Sequence, residues 1–83
     1  MKKTSIPLIR ELSTRYSHEE IEHCITQQLT NGANPCLVEN DPDTAIAILA
    51  KASYVSELVK KGLSLQQSMR VLGTQLRLYI NDP

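Results

Sequence analysis

Asp41-Pro42-Asp43-Thr44-Ala45-Ile46-Ala47-Ile48-Leu49-Ala50-Lys51-Ala52-Ser53-Tyr54-Val55-Ser56-Glu57-Leu58-Val59-Lys60-Lys61-Gly62, residues 41–62, is the stretch that decides the fold. Both of its ends are punctuated. Asp41 has the short acceptor side chain of a helix N-cap, and Pro42 suits the first helical position, where a missing N–H costs nothing. Gly62 tolerates the left-handed geometry that closes a helix. Between these ends, Ala45, Ile46, Ile48, Leu49, Ala52, Val55, Leu58 and Val59 occupy more than one stripe of a 3.6-residue period. The stretch therefore reads as a long helix to about Lys61 that is apolar around much of its girth. Such a helix is either the centre of a bundle or a contact with a second subunit. Lys60 and Lys61 fall at its negative end, where the peptide dipoles favour cations.

Three more helices are expected around it. Leu8, Ile9, Leu12 and Tyr16 recur at helical spacing over Ile6 to Tyr16, after Ser5 as a cap and with Pro7 in the first turn. Ser17-His18-Glu19-Glu20 is a capping box, and Tyr16 with Ile21 forms a hydrophobic staple across it. The helix it starts carries Ile21, Cys24, Ile25 and Leu29 as its apolar stripe and ends at Asn31-Gly32. Ser64-Leu65-Gln66-Gln67 is a second capping box. It opens a helix whose Leu65, Met69, Leu72, Leu76 and Tyr79 are spaced 4, 3, 4, 3. Residues 33–40, with Pro35 and Cys36-Leu37-Val38, read as an extended connection packed on the bundle. Strand patterns are weak throughout. The expectation is an all-α, three- to four-helix bundle with a long central third helix, forming one domain over residues 1–83.

The 83 residues suffice for one small core. Hydrophobic residues at 41% and charged residues at 22% are the proportions of an ordinary globular chain, which argues against disorder. Lys and Arg balance Asp and Glu at nine each, so bulk attraction to a polyanion is absent. The balance hides an asymmetry. Residues 17–43 carry six acids (Glu19, Glu20, Glu22, Glu39, Asp41 and Asp43) and no Lys or Arg, while the flanking segments are net basic. Acids at the starts of the second and third helices are favoured by the dipole, and basic residues can face them across the bundle. The alternative is an acidic face that docks a basic partner. With three Tyr, no Phe and no Trp, the core is aliphatic and no base-stacking platform is available. After Met1-Lys2-Lys3 no apolar run develops, because Arg10 and Glu11 interrupt, and no stretch is long enough to span a membrane. The expected setting is the cytoplasm, where Cys24 and Cys36 stay reduced.

Three constellations bear on chemistry. Gly62-Leu63-Ser64-Leu65-Gln66-Gln67-Ser68-Met69-Arg70-Val71-Leu72-Gly73 resembles the first half of the helix-turn-helix motif of bacterial DNA-binding domains. The resemblance covers 12 of the 83 residues and implies a DNA-binding regulator built on the third and fourth helices. Gln66, Arg70, Thr74 and Arg77 would then be its nucleic-acid contacts. The sequence after Gly73 departs from the pattern by leaving little length for a recognition helix. The second constellation is His18, Glu19, Glu22, His23, Cys24 and Cys36, which are ligand types without the paired spacing that completes a metal set. The third is Cys36 itself, exposed after Asn34-Pro35, with His18 or His23 as a base if the connection folds back. A Cys24–Cys36 disulfide is geometrically open to the chain. With only three Gly, no phosphate-binding loop can be built.

These observations lead to a non-catalytic interaction module, with no cofactor, no metal and no catalytic set. Its partner is another protein, itself included as a homodimer. The expected contacts are Ile46, Leu49, Tyr54 and Val55 on the third helix with Leu76 and Tyr79 on the fourth, because monomers rarely leave a wide apolar belt uncovered. The helix-turn-helix regulator is the alternative.

Overall fold

The computed structural model describes residues 6–37 and 41–81, and the side chains of residues 6–37 and 41–75. The chain forms α1 (Ile6–Arg15), α2 (His18–Asn31), α3 (Pro42–Lys60) and α4 (Leu65–Asn81), and no strand occurs among the described residues. The bundle is all-α, and α3 is its longest helix and its hub. It packs against each of the other three, and α1 also touches α4. Ser5, expected as the cap of α1, lies outside the described residues.

The boundaries follow from local chemistry. Ser17 caps α2: its hydroxyl accepts the Glu20 N–H at 3.1 Å, and the Glu20 carboxylate accepts the Ser17 N–H at 2.8 Å. Gly32, at φ 77°, closes the helix by donating to the Gln28 carbonyl at 2.9 Å. Asp41 caps α3 through the Thr44 N–H at 3.2 Å, with Pro42 in the first turn. At the far end Gly62 takes φ 116°, and the Leu63 N–H reaches back to the Leu58 carbonyl at 3.1 Å. This is the six-to-one bond of a Schellman ending, which needs a left-handed residue at that point. Ser64 and Gln67 then form the reciprocal box that starts α4, at 3.0 and 3.1 Å.

The core is aliphatic, as expected from the near absence of rings. Ile9 and Leu12 of α1, Ile21 and Cys24 of α2, Met69 and Leu72 of α4, and Leu37 of the connection surround Ala45, Ile48, Leu49, Ala52 and Val55 of α3. Two expectations are corrected here. Leu49 and Val55, expected as contacts with a second subunit, are fully buried in the core of the chain itself. The remaining large apolar exposure on α3 is at Tyr54 and Val59. The stripe of α2 also ends differently. Leu29 stands 71% exposed while Gln28 is buried. At about 100° per residue, Gln28 continues the line of Ile21 and Cys24, and Leu29 falls off it.

Candidate functional site

The turn between α1 and α2, the first two turns of α2 and the connection after it meet at one end of the bundle. There they form a cleft of about 320 Å³ lined by Tyr16, Glu19, Glu20, His23, Pro35 and the two cysteines. Cys24 and Cys36 are joined as a disulfide, with their Cα atoms 6.1 Å apart. This overturns the expectation of two reduced cysteines. The reason is the path of the connection, which turns back over α2 and does not leave it. Asn34 causes the turn. Its Oδ1 accepts the N–H groups of Cys36 and Leu37 at 2.9 and 2.8 Å, and its Nδ2 donates to the buried Gln28 side chain at 2.7 Å. Both line the cleft, but Cys24 is almost fully buried on α2 whereas Cys36 is only partly buried.

Beside the cleft, a polar seam ties α2 to α3. The Ser53 hydroxyl donates to the Glu22 carboxylate. His18 Nδ1 lies 3.2 Å from the Ser53 carbonyl oxygen and 3.2 Å from Ser56 Oγ, and Ser56 Oγ donates to that same carbonyl at 2.9 Å. A carbonyl only accepts, so the contact assigns the ring hydrogen to Nδ1. Ser, His and Glu are thus together, but in the wrong order for nucleophilic catalysis. A Ser–His–acid relay needs the hydroxyl to donate to the imidazole and the acid to orient the ring. Here the hydroxyl hydrogen goes to the acid, and Nδ1 is itself a donor. The seam joins two helices. Lys60 extends it by an ion pair with Glu19, whose carboxyl it holds below the usual carboxylate range, chiefly through the side-chain hydrogen bond. Each of the three α2 acids is therefore engaged within the chain: Glu19 by Lys60, Glu20 by the cap and Glu22 by Ser53.

The other anticipated residues are distributed as follows. Ile46 is partly buried and Tyr54 sits at the surface, while Leu49 and Val55 belong to the core. The side chains of Leu76, Arg77 and Tyr79 lie outside the described residues. Gln66, Arg70 and Thr74 are exposed on α4. Arg70 and Thr74, with Leu63, Gln67, Val71 and Gln75, line an open groove of about 440 Å³ on one flank of that helix. The helix runs through Gly73 without a break, so no turn of a helix-turn-helix occurs there. His18 and His23 border different sides of the α2 N-terminus, and no group of three or more His, Cys, Asp or Glu is placed for a metal among the described residues. The link between Gln28 and Asn34 was missed in the sequence, where a Gln at a core position was the available signal. No helix among the described residues is long and apolar enough to cross a membrane. Comparison of the chain with protein-family models, curated proteins and solved structures found no match.

Proposed function

We propose that the chain is a small non-catalytic interaction module and that its contact is with a second copy of itself through the flank of α4. The groove between Leu63 and Gln75 carries this reading. Leu63 and Val71 give it an apolar floor that remains partly exposed, while Gln67, Thr74 and Gln75 supply uncharged polar edges. A two-fold contact places a surface against its own image, so the surface must complement itself. Primary amides donate and accept at once, and Gln67 and Gln75 can pair with their own copies. Arg70 is the one charge among the described residues that line the groove, and the chain has a formal net charge of zero, so two copies approach without strong repulsion. This contact is proposed in place of the one expected on α3, where Leu49 and Val55 are buried within the chain.

The compartment belongs to the proposal as well. A lasting disulfide fits an oxidising compartment. The cytoplasmic setting expected from the sequence requires the pair to be reduced in the cell. Light scattering after size exclusion tests the association. A dimer that forms with rising concentration and is lost in Val71→Glu, with helical content kept, supports the proposal. A wild-type monomer at every concentration overturns it.

A further inference from the structure

We propose that Cys24–Cys36 is a redox-active disulfide, opened by thiol–disulfide exchange with a dithiol protein that attacks at Cys36 and closed by exchange with such a protein in its disulfide form. This inference rests on the cleft and is independent of the α4 contact.

The two sulfurs differ in access. Both line the cleft of about 320 Å³, but Cys24 is held in the core of α2 at 2% exposure while Cys36, on the connection, is partly exposed. An attacking thiolate must approach in line with the S–S bond, and the side open to it is that of Cys36. The new bond forms between the attacking sulfur and Cys36 Sγ as the Cys24–Cys36 bond breaks. The electron pair leaves on Cys24 Sγ, which takes a proton from solvent. The second thiol of the partner then attacks its own sulfur in the mixed disulfide and releases Cys36. Two electrons and two protons have passed from the dithiol to the pair, and the partner leaves as a disulfide.

The fold is arranged so that this opening is reversible. The connection does not depend on the S–S bond to stay in place. Asn34 holds the backbone of Cys36 and Leu37 from one side of its amide and Gln28 from the other, and Leu37 is buried in the core. After reduction the two thiols therefore remain neighbours. Closing takes a partner in its disulfide form: the Cys36 thiolate attacks that disulfide and releases one partner thiol, then the Cys24 thiolate attacks Cys36 Sγ at high effective concentration and releases the second, so the partner leaves as a dithiol.

The test uses the wild-type chain in native buffer with dithiothreitol and then glutathione disulfide as probes. Alkylation and mass spectrometry read the thiols, and circular dichroism reads the helices. Expected are full reduction without denaturant, an unchanged helical signal, and a glutathione adduct on Cys36 in excess of about tenfold over Cys24. Asn34→Ala is expected to slow closure of the mixed disulfide by about tenfold, since the anchor sets the effective concentration. A bond that resists reduction until the chain is unfolded, an adduct on Cys24, or helices lost on reduction overturns the proposal. Unchanged closure in Asn34→Ala removes the part assigned to the anchor.

Discussion

Lys60 reaches from the last turn of α3 to Glu19 in the first turn of α2, and the contact has a titration consequence. The folded carboxyl sits below its ordinary value, so the stabilisation is present above that value and is lost as the pH falls through the folded one. Both side chains are more than half exposed, so solvent screens the pair and its effect on stability is small. Lys60→Ala is expected to return Glu19 toward the ordinary carboxylate range, measured by an NMR titration of its side-chain carboxyl. Two glycines make opposite predictions in urea denaturation. A Cβ at Gly73 meets nothing within 4 Å among the described residues, and the residue is helical. Gly73→Ala should therefore stabilise the chain by up to about 1 kcal/mol, the helix-propensity difference. Gly62 has φ 116°, where an L side chain is strained, and Gly62→Ala should destabilise by about 1–2 kcal/mol.

At the scale of the helices, the ends were the most readable feature. Ser17 with Glu20, Asp41 with Pro42, and Ser64 with Gln67 each announce a start, because a helix terminus is solved by its own few residues. Ser17→Ala should cost about 1 kcal/mol by thermal or urea unfolding, the usual worth of such a cap. What lies across helices was less readable. Leu29 looked like core because the stripe was traced by residue type, yet the rotation of α2 brings Gln28 inward and leaves Leu29 in water. Burying an amide is tolerable only where a partner waits, and that partner, Asn34, comes from a connection whose path no periodicity describes. The buried serines follow the same logic. Ser53, Ser56 and Ser68 sit in the core at no evident loss because each hydroxyl finds an acceptor: Glu22, the Ser53 carbonyl and the Ser64 carbonyl.

On the scale of the whole molecule, the all-α bundle and its hub were legible from residues 41–62, whereas the candidate site was only partly so. The cysteines were visible, but their joining depends on the turn at Asn34 and on the surrounding redox conditions, neither of which is a local property of the two residues. The bond closes a loop across a sequence separation of 12, so removing it should cost roughly 3 kcal/mol by loop entropy. Thermal unfolding of the Cys24→Ser, Cys36→Ser double variant checks this, with the expected outcome a lower midpoint and an undiminished helical signal below it.

The docking of α1 on α3 bears on the expected order of assembly. Ser13 lies against the Ala52 carbonyl at 3.4 Å across 39 residues of chain, whereas α3 and α4 are joined by a turn of a few residues. Closing the longer loop carries the greater entropic penalty, so the α3–α4 pair is expected to form before α1 docks. Amide protons of α1 should accordingly exchange with deuterium sooner than those in the middle of α3, since the last element to join is the first to be released.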